Sequence, residues 1–279
     1  MKTIAVLTDL SRSGEHATQF ALHMAKKMKA NVLLFNTNCV PAARQLVPAG
    51  QEEPEPDNGL ADFGHRMEER LMTRTFPGSF LPEIHMDNDN KEIVDIMTSL
   101  MQNPDISLVI TAPETESDLA SYMISDDCNR IIDWATVPVM VIPECAPLRN
   151  FEKIAFASQL HEEDINSISE LGKLLESFAA ELMVAHLNSD WSDQAVREKE
   201  EKLNRDLYKK LDCGGVYFRS IPDTVPYQNW DWLKANKRTD LLAVVQQPRE
   251  RMTRFFQRGK NPSVTHHLTV PVLVLPKKP

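Results

Sequence analysis

Thr3-Ile4-Ala5-Val6-Leu7-Thr8-Asp9-Leu10-Ser11 returns 150 positions later as Lys153-Ile154-Ala155-Phe156-Ala157-Ser158-Gln159-Leu160-His161. Each is a short apolar run that breaks into polar residues, the pattern of a strand buried on both faces of a parallel sheet. Three further pairs follow in the same order. Ala30 to Asn38 matches Ala180 to Asn188 at the same offset, Asp105 to Ile110 matches Asp240 to Val245 at 135, and Val137 to Pro143 matches Val270 to Pro276 at 133. Four matches in one order, with slowly falling offsets, mark a duplicated domain. The boundary is expected near Pro147-Leu148-Arg149-Asn150, giving domains 1–148 and 149–279.

Between the strands lie helical patterns. Residues 15–29 place Ala17, Phe20, Ala21, Met24 and Met28 on one face, with Lys26, Lys27 and Lys29 near the negative end of the helix. Stretches 62–74, 90–101, 165–178 and 194–211 carry comparable stripes of Phe, Met, Leu, Ile and Val, read as core packing. Residues 41–58, with Pro41, Pro48, Pro54 and Pro56, read as a mobile loop between a strand and a helix. The alternation predicts two open α/β domains of about five parallel strands each. In such sheets ligands bind beyond the carboxyl ends of the strands, where strand order reverses. The positions to inspect are therefore Thr8-Asp9-Leu10-Ser11 and the residues from Thr111 onward, with Ser158-Gln159-Leu160-His161 and Gln246 onward in the second half.

Composition narrows the function classes. The chain has 279 residues, 42% hydrophobic and 25% charged, which is globular rather than disordered. No apolar run approaches the ~20 residues that span a bilayer, and the N-terminus meets Thr8 and Asp9 before a signal-peptide core could form. Cys39, Cys128, Cys145 and Cys213 lie far apart, which fits a reducing cytoplasm. Residues 1–148 carry 11 Lys and Arg against 22 Asp and Glu, whereas 149–279 carry 20 against 18. An acidic first half on a chain of net charge −9 disfavours general binding to nucleic acid or an anionic membrane.

No catalytic constellation is visible, so no enzyme is expected. Ser11 lacks a histidine partner, since His16 lies about a turn into the next helix. His85, Asp87 and Asp89 alternate along a strand end and could present three metal ligands, but Asp87 and Asp89 are expected to cap the following helix instead. His161-Glu162-Glu163-Asp164 reads as a charged helix start. Cys128 has no neighbouring cation to lower its pKa, and His266 and His267 read as surface residues. Neither a metal nor a cofactor is expected.

The duplication, the opening strand ending in Thr8-Asp9-Leu10-Ser11 and the Val-Pro-Val-x-Val closing run in both halves together resemble the universal stress protein family in its tandem form. The resemblance spans both halves and implies a Rossmann-like fold and a cytoplasmic, non-enzymatic role in stress survival. It also implies that the halves pack through the strands at Val137 to Ile142 and Val270 to Leu275, as an intrachain pseudo-dimer. Further homo-oligomerisation stays open, and the partner is an unspecified protein or small molecule.

ATP-binding members of the family carry Gly-x2-Gly-x9-Gly-Ser after the fourth strand, where glycines let the backbone approach the phosphates and the Ser adds donors. The family's spacing puts Ala112, Thr115, Ser125 and Asp126 at those four positions. Every glycine has gained a Cβ and the hydroxyl has become a carboxylate, while Glu114, Glu116 and Asp118 add charge to the same loop. Each like-charge pair ~4 Å apart costs ~4 kcal/mol at an effective dielectric of ~20, before salt screening. Thr8 and Asp9 would line the nucleoside end, but ATP binding in the usual way is not expected. In the second half Asp9 is replaced by Gln159, and no counting of the shortened loop restores the glycines. That loop instead carries Arg249, Arg251, Arg254, Arg258 and Lys260, interleaved with Met252, Phe255 and Phe256. Its plain reading is a solvated basic face over two core phenylalanines. The alternative is a cleft for ATP or another phosphorylated ligand, since the segment occupies the family's phosphate loop.

Overall fold

The computed structural model describes residues 1–37, 59–73, 78–87, 91–113, 126–188, 194–210, 216–222, 239–247 and 270–277. The expected loop at 41–58, Asp89, Thr115, Ser125, His266, His267 and the basic run from Arg249 to Lys260 lie outside the described residues, as does the side chain of Asp126. The described residues divide into two compact units, one ending at Glu144 and the other running from Cys145.

The first unit runs β1 (Thr3–Thr8), α1 (Arg12–Met28), β2 (Asn31–Asn36), α2 (Gly59–Thr73), β3 (Ile84–Asp87), α3 (Ile93–Gln102), β4 (Ile106–Thr111), α4 (Asp126–Trp134) and β5 (Val139–Val141). The second runs β6 (Lys153–Ser158), α5 (Asp164–Leu175), β7 (Glu181–Asn188), α6 (Gln194–Lys210), β8 (Val216–Pro222), β9 (Leu241–Val245) and β10 (Val272–Leu275). Strand order is β3-β2-β1-β4-β5 in the first unit and β10-β9-β6-β7-β8 in the second. All pairings within each unit are parallel. The predicted pair of open parallel α/β sheets is what forms.

Burial explains why these runs are strands. Ile4 to Leu7, Leu108 to Ile110, Ile154 to Phe156 and Leu241 to Val244 are all nearly inaccessible, so both faces of each central strand are covered by helices. Phe20 and Met24 of α1 and Ile168 and Leu171 of α5 bury the apolar stripes read from the sequence. Each fully buried Leu, Ile or Phe contributes about 1.5–3 kcal/mol.

Local signals set the helix ends. Ser11 caps α1, its side chain accepting from Gly14 N, so the helix begins three residues before the apolar periodicity indicated. Lys29 ends it in the left-handed region, its N–H returning to Ala25 O. The stretch 165–178 divides into α5 and a 3-10 turn at Glu176–Phe178. The closing strands are shorter than Val137 to Ile142 and Val270 to Leu275, and Pro138 and Pro271 stay outside them because proline cannot donate to the ladder. The Asp87 carboxylate lies 3.1 Å from Lys91 Nζ, and the residue at the N-cap of α3, Glu92, makes no side-chain cap hydrogen bond.

The duplication extends to backbone detail. Among the described residues, four non-glycine ones have left-handed φ: Leu10 (59°), Lys29 (53°), Leu160 (60°) and Ala179 (51°). They form two pairs separated by the repeat distance, one in the loop after the first strand of each unit and one at the end of the following helix. Such a conformation costs a residue with a Cβ roughly 1–2 kcal/mol. Its recurrence at matched positions shows the same turn built twice.

Candidate functional site

In both units strand order reverses beside the first strand. β1 lies between β2 and β4, and β6 lies between β7 and β9. The carboxyl ends at these switch points are where an open α/β sheet receives a ligand. Register pairs Leu7 with Thr111 and Ala157 with Val244, so Thr8 and Asp9 leave the first sheet beside Ala112, and Ser158 and Gln159 leave the second beside Val245.

The first unit's loop is held by its own side chains. Thr8 Oγ1, on a buried residue, accepts from Leu10 N at 3.1 Å. Asp9 Oδ1 accepts from Ser11 N at 3.0 Å and from the Ser11 hydroxyl at 2.5 Å. Ser11 Oγ in turn accepts from Gly14 N at 3.2 Å and lies 3.0 Å from Ser13 Oγ. The single Ser11 proton is committed to Asp9, so Ser13 is the donor in that contact. Gly14 is required here for space. A Cβ on it would lie 2.4 Å from Thr8 Oγ1 and 2.6 Å from Asp9 Oδ1.

The second unit's loop keeps the backbone and changes the anion. Ser158 Oγ accepts from Leu160 N at 3.0 Å, as Thr8 Oγ1 does from Leu10. The carboxylate, however, comes from Asp164, the first residue of α5 and the counterpart of Gly14. Its Oδ2 accepts from Ser158 Oγ at 2.6 Å, Gln159 N at 3.0 Å and His161 N at 3.3 Å. Asp164 is 5% exposed. The charged helix start expected at 161–164 is where α5 begins, and its last residue also gathers three donors on one carboxylate oxygen. Gln159, at Asp9's position, is exposed. His186, paired with Ser158 in the β6–β7 register, places Nδ1 3.1 Å from Ser158 O. A carbonyl can only accept, so Nδ1 carries the proton.

Of the first unit's candidate positions, Thr8, Asp9 and Ala112 lie at the ends of neighbouring strands, and Asp126 opens α4. The helix dipole there favours a carboxylate. Asp164 escaped sequence reasoning. Its signal lay in two exchanges read jointly, Asp9 to Gln159 and Gly14 to Asp164.

Other candidate chemistry does not assemble. His85 Nε2 lies 3.5 Å from Glu83 and Asp87 pairs with Lys91, while Asp89, the third of the strand-end trio, lies outside the described residues. Among the described residues no group of three or more His, Cys, Asp or Glu could hold a metal ion. Cys128 is buried in α4. No described helix is long and apolar enough to cross a membrane.

Two tandem units, each with a five-stranded parallel sheet and a switch point beside its first strand, define the class: a duplicated, Rossmann-like α/β protein. The particular fold is that of the universal stress proteins. A universal stress protein from Archaeoglobus fulgidus DSM 4304 matches at TM-score 0.58 and 13% identity, over 98% of both chains. A protein described as a universal stress protein, from Pseudomonas aeruginosa UCBPP-PA14, matches at 0.57 and 14%, over 99% of this chain and 93% of that one. The cytoplasmic domain of a prokaryotic cation chloride cotransporter matches at 0.53 and 10%, over 98% and 94%. At these identities the shared property is the fold. No protein-family model matches the sequence, and no curated protein does.

Proposed function

We propose that this protein is a non-enzymatic, cytoplasmic regulatory module of the universal stress type, which acts by binding a partner and does not take ATP in the first unit in the usual way. The observation that carries the reading is the start of α4 at Asp126. By the family's spacing this is where ATP-binding members carry the serine that meets the phosphates. A carboxylate residue there repels the triphosphate it replaces the donor for. Ala112, at the end of β4, supports the reading, since a Cβ replaces the first glycine of the motif. Mass spectrometry of small molecules released by denaturing the purified protein tests it, together with calorimetry against ATP. The expected result is no released nucleotide and no binding heat at millimolar ATP. Tight ATP binding overturns the reading.

A second reading concerns the second unit. β9 ends at Val245 beside β6, and the segment bearing Arg249, Arg251, Arg254, Arg258 and Lys260 follows it in the sequence. This order along the chain favours a phosphorylated small molecule as ligand. It requires that polyphosphates raise the melting temperature by mass action, and that Arg254→Ala with Arg258→Ala abolishes the rise.

A further inference from the structure

The two strand-end loops share a backbone and each contains one carboxylate that holds the turn, but they draw it from different places. In the first unit Asp9, on the loop, takes Ser11 N and the Ser11 hydroxyl, and Gly14 leaves the room. In the second unit Asp164, on the helix, takes Ser158 Oγ, Gln159 N and His161 N. Ser11 N and His161 N are equivalent donors at the repeat distance, and each ends on a carboxylate. The ideal Cβ at Gly14 falls 3.5 Å from Asp9 N, so a carboxylate carried there would reach the donor that Asp164 reaches through Gln159 N. The same Cβ overlaps the Asp9 carboxylate, so a loop has room for one arrangement or the other.

We propose that Asp164 has taken over the turn-holding task of Asp9, and that this releases position 159 to present a neutral amide at the ligand end of the second unit. Asp164 is a positioning residue for the loop that carries the exposed Gln159. The amide offers both a donor and an acceptor. A ligand group meeting the second strand end therefore faces an exposed neutral side chain, while the loop donors behind it are already satisfied by an internal anion. The Ser158 hydroxyl is a buried donor and Gln159 N and His161 N are part-buried ones, so stripping them of their shared partner has a measurable cost.

The test is a set of substitutions in the full chain, read by thermal unfolding and by residue-resolved amide hydrogen exchange. Asp164→Ala should lower the melting temperature by about 5 °C or more and speed exchange at His161 at least tenfold. Gln159→Ala should shift the melting temperature by less than about 1 °C and leave His161 protected. Asp9→Ala, at the same repeat position, should deprotect Ser11. In the exchange pair Asp164→Gly with Gln159→Asp, protection returns at His161, as Asp9 gives it to Ser11 in the first unit. If the Asp164 variants do not fold, the mirror pair decides. Gly14→Asp should be destabilising alone and recover more than half of that loss when combined with Asp9→Gln. Additive losses in both pairs, or a Gln159→Ala loss equal to that of Asp9→Ala, overturn the proposal. Nucleotide is absent from every arm, so the outcome is separate from that of the proposed function.

Discussion

Gly14 sits against Thr8 so closely that an added Cβ would lie 2.4 Å from the threonine hydroxyl. That hydroxyl already holds Leu10 N and the residue is buried, so neither partner can retreat without breaking the loop. Gly14→Ala is expected to destabilise by about 1–3 kcal/mol, as overpacking does elsewhere. Gly172, within α5, has nothing within 4 Å of its missing Cβ. Gly172→Ala should therefore stabilise by about 0.5–1 kcal/mol through helix propensity. Chemical denaturation of the two variants checks the pair. Equal signs would contradict it.

Lys29 and Ala179 are exposed and hold left-handed φ at the ends of the helical segments that follow β1 and β6. Glycine adopts this conformation without a Cβ penalty. Lys29→Gly and Ala179→Gly should each be neutral or stabilising by up to about 1 kcal/mol, against the usual loss on introducing glycine. A loss in both variants would show that the left-handed caps are not strained.

The first unit's candidate site can be rebuilt. Asp126→Ser alone should cost about 1 kcal/mol or less, since a helix start tolerates either residue. It should not confer ATP binding while Ala112, Thr115 and Ser125 retain their Cβ atoms. Combining it with glycine at those three positions should produce measurable calorimetric heat. Binding by Asp126→Ser alone would show that charge, and not backbone approach, is what excludes the nucleotide.

Lys202, on α6, pairs with Glu162, whose hydrogen bond and then charge raise the lysine pKa above its ordinary range. A raised lysine pKa contributes stability below the unfolded value of about 10.5, lost as pH rises through the folded value. The side chains are exposed, so salt screens the pair. Melting curves of the protein and of Lys202→Met should converge above that pH and in high salt. A gap that widens on either change would contradict the assignment.

The strands and their order of appearance were legible because burial on both faces leaves uninterrupted apolar runs, and because a duplicated chain shows each run twice. Helix faces were legible for the same reason: Phe20, Met24, Ile168 and Leu171 repeat at helical spacing and are buried. Helix ends were less so. Ser11 caps α1 by accepting a hydrogen bond from Gly14 N that no hydrophobic period marks, and α3 starts at Glu92 with no side-chain cap from that residue.

What the sequence determined by itself is the architecture and the location of its ligand ends, since hydrophobic periodicity and repetition are properties of the chain. What the tertiary structure alone decided is the state of each charge. Asp164 follows two glutamates and reads as part of a charged helix start. Only when β6 ends beneath α5, and Ser158 Oγ, Gln159 N and His161 N converge on it, does burial cost less than exposure. A carboxylate's partners are set by which backbone donors the fold brings to it, and nothing in its immediate neighbours along the chain records that.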